Sequence, residues 1–158
     1  MHIRALCNTN VVTVSQSEEL MTAAALMRDR HVGYLVVAES MPGGAVKPIG
    51  VLTDRDIVVG ILAMSVDPKS LRVGDVMTQR LVMVEASKSL EDALRMMRRD
   101  GVRRVPVIGH SGELVGVLSL DDIVEYLAKQ LAEVSGSIQA ELKNESTLRP
   151  ASAGGGAP

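Results

Sequence analysis

Gly50-Val-Leu-Thr-Asp-Arg-Asp-Ile57 is answered sixty-six residues later by Gly116-Val-Leu-Ser-Leu-Asp-Asp-Ile123. In each stretch an apolar strand ends at a hydroxyl residue and a helix starts at once. Working outward, residues 11–37 lie over residues 81–107 at a constant offset of 70. Val12 falls on Val82, Val14 on Val84, Ser17 on Ser87, Leu20 on Leu90 and Ala23 on Ala93. Met27 falls on Met97, Arg28 on Arg98, Val32 on Val102 and Val37 on Val107. The offset drops to 66 because the first copy carries four extra residues in the turn at 39–48. Identities are sparse but the apolar positions match almost throughout, so the chain is a tandem duplication.

Each copy reads as strand, helix, strand, strand, helix, which makes the fold α/β (α+β). Residues 11–14 and 81–84 are short β-rich runs. Ser17 or Ser87 is expected to cap the helix that follows, with a stripe of Leu20, Ala23, Ala24 and Met27 matched by Leu90, Ala93, Leu94 and Met97. Residues 34–38 and 105–108 are continuous apolar runs, as in strands buried on both faces. Met41-Pro-Gly-Gly44 and Gly109-His-Ser-Gly112 have the chemistry of turns joining strand pairs. Asp67-Pro68 and Gly74 mark a linker, giving repeats at 3–66 and 67–133. The last helix runs on: Ile123, Leu127, Leu131, Val134, Ile138 and Leu142 make a stripe close to a heptad. That extension, 134–143, either folds back on the core or serves as a handle for a dimer or partner. Residues 144–158 are a low-complexity tail expected to be disordered.

Composition removes several functions. The 158 residues carry 17 Lys+Arg against 19 Asp+Glu, a net charge of −2, so general nucleic-acid binding is not expected. Two Tyr with no Phe or Trp leave no base-stacking platform. A planar ligand would therefore lie between aliphatic side chains and peptide planes. One cysteine, Cys7, excludes an intrachain disulfide framework and fits a reducing compartment. The longest apolar stretch, 57–64, is too short to span a bilayer, and no signal-peptide pattern opens the chain; the expected address is cytoplasmic.

Catalytic chemistry is thin. No phosphate-binding glycine loop is present, and Gly109-His-Ser-Gly112 has the wrong spacing for a nucleophile elbow. His2, Cys7, His31 and His110 are scattered, with no metal-ligand spacing. The chain is not expected to be an enzyme, nor to require a cofactor. What remains is the duplicated segment. Amides at the helix start after Thr53 suit a phosphate, with the Thr53 hydroxyl and Arg55 beside them. Asp56 can accept two hydrogen bonds, as a ribose diol requires, and Gly50 would admit a close neighbour or ligand. Yet Thr53-x-x-Asp56 and Ser119-x-x-Asp122 are also capping boxes that need no ligand.

The paired Gly-h-h-Ser/Thr-x-x-Asp-h segments (h, apolar), the Val102-Arg-Arg-Val-Pro-Val107 strand and the Asp75-Val-Met-Thr78 lead-in resemble a stand-alone tandem pair of CBS domains, a Bateman module. The resemblance covers about residues 3–133. It implies a pseudo-twofold pair of βαββα units whose two clefts bind adenosine-containing ligands: AMP, ADP, ATP, sometimes NAD or S-adenosylmethionine. It also implies a regulatory, non-catalytic role, a homodimer, and a downstream protein partner that the sequence does not name. Carried over, the first cleft would use Val51, Thr53, Arg55 and Asp56 with Val82, Val102, Arg103 and Arg104. The second would use Val117, Ser119 and Asp122 with Asn10, Val12, Val32 and Tyr34. Valines would sandwich the adenine and the aspartates would hold the ribose. Asp121 stands where the first cleft has Arg55, and Gly33 where it has Arg103, so the first cleft is expected to hold a charged nucleotide more tightly.

Overall fold

The computed structural model describes residues 2–148 and divides into two compact units, residues 1–120 and 121–158. The first unit holds two three-stranded sheets of identical topology. In one, β1 (Thr13–Val14) runs parallel to β2 (Tyr34–Ser40), and β2 pairs antiparallel with β3 (Val46–Thr53). Helix α1 (Leu20–Arg30) makes the crossover between β1 and β2, and α2 (Asp54–Ile57) follows β3. After the short α3 (Val73–Val76), the second sheet repeats the plan with β4 (Val84–Glu85), α4 (Leu90–Asp100), β5 (Arg104–Ile108) and β6 (Leu114–Ser119). Helix α5 (Leu120–Leu148) begins at the junction and forms the second unit.

The two hairpins keep the same register. Val37 pairs with Gly50 and Val107 with Gly116, and in both the register shifts immediately after that pair. The four extra residues of the first copy lengthen its hairpin arms, bringing Ser40 opposite Val46 and closing through a 3-10 turn at Pro42–Gly44. Leu35, Val36 and Val37 are fully buried, as are Val105 and Val107, which is why these strands read as unbroken apolar runs. The stripe of α1 buries Leu20, Ala23 and Met27 against Leu35, Val37 and Leu52; α4 buries Leu90, Ala93 and Met97. After Ile57 the second helix of the first copy widens into a π turn, Val58–Leu62.

What joins the copies is an exchange of lead-in segments. Asn8 pairs with Val117 through two backbone bonds of 2.9 Å, and Thr78 pairs with Val51 in the same way at 2.9 and 3.3 Å. Likewise the Ile3 amide donates to the Lys88 carbonyl, and the Val73 amide to Glu18. Adding 70 to one lead-in and 66 or 70 to its acceptor converts each bond into the other, so the exchange obeys the duplication. Val73, fully buried, sits in the core of the first copy, with Leu71, Val76 and Met77 packed against it.

Two expectations need correction. Neither Ser17 nor Ser87 caps a helix: the N-caps are Glu19 and Ser89. The Ser17 hydroxyl is engaged by Ser15 at 2.9 Å, and the first amide of α1 is satisfied from the linker, by the Leu71 carbonyl. The helix also continues beyond residue 143, to Leu148, since no Gly or Pro intervenes to break it. The rest of the expected tail, 149–158, lies outside the described residues.

Candidate functional site

The site starts from a local necessity. Where β3 ends at Thr53 and α2 begins, the first helical amides have no partner within the helix. Thr53 and Asp56 answer with a reciprocal box: the Asp56 amide donates to Thr53 Oγ1 at 3.1 Å, and the Thr53 amide donates to Asp56 Oδ2 at 2.8 Å. The Thr53 hydroxyl donates to the same Oδ2 at 2.8 Å. One carboxylate oxygen is therefore consumed by the cap. The geometry serves the structural reading in full, and the same carboxylate borders a cavity.

That cavity, about 260 Å³, is shaped by the lead-in exchange. Pairing of Val51 with Thr78 lays the segment leading into β4 across the end of β3, which puts Leu81 and Val82 opposite Val51 and Thr53. Val102 and Arg103, at the entry to β5, close another side. Of the residues assigned to the first cleft, Val51, Thr53, Asp56, Val82, Val102, Arg103 and Arg104 all line it. Arg55 does not; it borders a neighbouring depression with Asp56, Val59, Gly60, Ile61, Asp75 and Val76. Three lining residues escaped the sequence reading: Thr78, Arg80 and Leu81. Thr78 ends the Asp75-Val-Met-Thr78 lead-in and Leu81 opens the run at 81–84, but neither pattern marks a contact with the cavity; the offset of 70 from Asn10, assigned to the second cleft, is the signal that points to Arg80.

Tyr34, assigned to the second cleft, also lines this cavity. Register explains its place: Tyr34 pairs with Thr53, as Arg104 pairs with Ser119, so both stand where the two copies meet. The Arg104 guanidinium lies over the Tyr34 ring, 5.9 Å from its centre, a cation–π arrangement. Burial holds the Tyr34 phenol well above the ordinary tyrosine range, and Arg104 draws it back only in part. The charged residues of the lining are three arginines, Arg80, Arg103 and Arg104, and a single acid, Asp56. Arg80 is 88% exposed along its side chain and lies 3.9 Å from the Asp100 carboxylate.

The duplication places Asn10, Val12, Val32, Val117 and Ser119 where the first cleft has Arg80, Val82, Val102, Val51 and Thr53. Asn8 holds Val117, and the Val12 carbonyl accepts from Val36. Asp122 belongs to the first turn of α5. Two arginines are thus lost by position: Asn10 replaces Arg80 and Gly33 replaces Arg103. A side chain at 33 would also meet the Asp54 carboxylate, whose Oδ2 lies 2.5 Å from where a Cβ would stand. Among the described residues no group of three or more His, Cys, Asp or Glu converges as a metal site. No described helix is long and apolar enough to cross a membrane.

Comparison with known proteins matches this geometry to one family. The family model for the CBS domain fits residues 3–63 and again 73–129. Hypoxic response protein 1 of Mycobacterium tuberculosis is 36% identical over 124 residues, spanning 78% of this chain and 83% of that protein. The crystal structure of Hypoxic Response Protein I with two coordinated zinc ions superposes with a TM-score of 0.67 at 33% identity, over 80% of this chain and 98% of that one. The CBS domain protein PAE2072 of Pyrobaculum aerophilum, complexed with AMP, has the same fold at 24% identity and a TM-score of 0.67, over 77% and 89% of the two chains.

Proposed function

We propose, from the premise that this chain belongs to the CBS-domain family, that it is a non-catalytic regulatory module whose first cleft binds an adenosine-containing ligand. The ligand class is AMP, ADP or ATP, with NAD and S-adenosylmethionine as further members. The observation that carries the reading is the cavity itself, where an apolar slot and a carboxylate are set against arginines by strands from both copies. In this reading Val51, Leu81, Val82 and Val102 enclose the adenine, doing by aliphatic contact what aromatic residues do elsewhere. The free oxygen of Asp56 accepts from the ribose, and Arg80, Arg103 and Arg104 meet the phosphates as charge-assisted donors. A volume of about 260 Å³ lies just below the usual range of small-molecule sites, roughly 300–1,000 Å³, so a mononucleotide fits this class better than a dinucleotide. The AMP held by PAE2072 supports the class. The second cleft, poorer in cations, is the weaker of the two. Ligand occupancy would act by favouring one arrangement of the module, in proportion to its difference in affinity for the two states. The working address is the cytoplasm, and the receiver of the signal is a protein partner or an oligomer.

The test is a thermal-shift panel of AMP, ADP, ATP, NAD and S-adenosylmethionine on protein freed of carried-over nucleotide. A ligand at a hundred times its dissociation constant adds about 2.7 kcal/mol, a shift of several degrees at this size. Asp56→Ala removes half of a helix cap and lowers stability whether or not a ligand binds. Val82→Asp leaves the cap alone and puts a charged carboxylate into the apolar slot that encloses the adenine. The expected result is a shift in wild type that Val82→Asp abolishes. A panel without any shift in wild type hands the chain to a ligand-free interaction role, in which the Thr53–Asp56 box is only a cap.

A further inference from the structure

The band Val124, Leu127, Leu131, Val134, Ile138 and Leu142 on α5 is between 44% and 70% exposed, and no described residue of its own unit covers it. We propose that this band is the seam of a self-association, and that its occupant is the same helix of a second copy of this chain.

Spacing is the first argument. The steps are three, four, three, four and four residues, and at 3.6 residues per turn they keep all six side chains within one arc of the helix. A three–four alternation is the geometry by which one helix packs along another of the same kind. Charge is the second. Glu125, Lys129 and Glu133 stand on the opposite face, where Lys129 and Glu125 pair with each other at 2.6 Å. The residues flanking the seam from 124 to 138 are Ala128, Gln130, Ser135 and Ser137, none of them charged. Identical helices present identical flanks to each other, so charges of one sign there would repel. Neutral flanks remove that obstacle, and they also leave a foreign partner no charge pattern to read. Extent is the third. Residues 124–142 span about 27 Å of helix, and two such bands pressed together bury on the order of 1,000 Å², the size at which an interface becomes specific. This inference is independent of nucleotide binding.

Sedimentation velocity on the full chain tests it, comparing wild type with L131E/I138E at equal micromolar concentration. Wild type should have twice the mass of the variant, with unchanged helical circular dichroism. L131S/I138S, which keeps the face uncharged, should dissociate likewise and serves if the glutamates disturb folding. K129A, on the opposite face, should keep the wild-type mass. Equal masses for wild type and both seam variants would overturn the proposal. Dissociation by K129A to the same degree would overturn it too.

Discussion

His31 and Gly101 occupy the same place in the two copies, the residue after a helix, and both adopt left-handed backbone, with φ of 53° and 66°. At Gly101 that conformation is free of steric cost; at His31 a Cβ opposes it. His31→Gly should therefore stabilise the protein by roughly 0.5–1 kcal/mol, the relief of strain exceeding the added freedom of the unfolded chain. A higher urea midpoint with an unchanged slope would show it. The glycines at 50 and 116 make the opposite case. Gly50 does admit a close neighbour, as its motif suggests, but the neighbour is the lead-in strand: a Cβ would stand 2.8 Å from Met77 Sδ and 3.1 Å from the Thr78 carbonyl. At Gly116 the Asn8 carbonyl itself would lie at 2.8 Å, beside Cys7 Sγ at 2.7 Å. A methionine sulfur can rotate away; a carbonyl beside a backbone pairing moves only by disturbing it. Gly116→Ala should cost about 1–3 kcal/mol and Gly50→Ala clearly less, read from paired denaturation curves.

At the scale of elements, the duplication was legible because apolar spacing survives when identities do not. The order of elements, the two hairpins and the crossover helices all follow from that spacing. Caps were less legible. Ser17 and Ser87 sit at matching positions, yet α4 takes its cap from Ser89, whose hydroxyl accepts from the Asp92 amide at 3.1 Å, while α1 starts at Glu19 with no side-chain bond. Helix α1 borrows the Leu71 carbonyl from a segment fifty residues away, a bond that no local pattern announces. Ser89→Ala should cost about 1 kcal/mol and Ser17→Ala almost nothing. The same serine sets a pH dependence. Hydrogen bonds from Ser89, its hydroxyl first and then its amide, hold the Asp92 carboxyl below the usual carboxylate range. A group lowered in the folded state adds stability above its unfolded pKa and loses it as the pH falls through its folded value. Stability measured from pH 7 downward should thus decline through the carboxylate range, and Ser89→Ala should flatten the decline. Equal slopes in the two proteins would assign the acid sensitivity to other carboxylates.

For the first unit as a whole, the decisive feature is that neither copy closes alone. Val73 stands at the start of the second copy in sequence and is buried in the core of the first, and the first cleft is lined from both. Sequence reading took this segment for a linker, because Asp67-Pro68 and Gly74 have linker chemistry and a single buried valine has no period. For the same reason most of the cleft was legible, through residues on strands and caps, whereas Thr78, Arg80 and Leu81 were not. A shared core has a thermodynamic consequence: the halves must unfold together. Val73→Ala removes two methyl groups from a fully buried site, and by the range for core truncations it should cost about 2 kcal/mol or more. The loss should appear equally in both copies. Hydrogen exchange can read this at Val36 in β2 and at Val107 in β5, both fully buried, where protection should fall by the same factor, roughly thirtyfold for 2 kcal/mol. Loss of protection confined to β2 would mean that the copies are separate folding units, with a lead-in exchange that contributes little. Loss in both would mean that a ligand gripping the cleft is held by the one cooperative element the unit possesses.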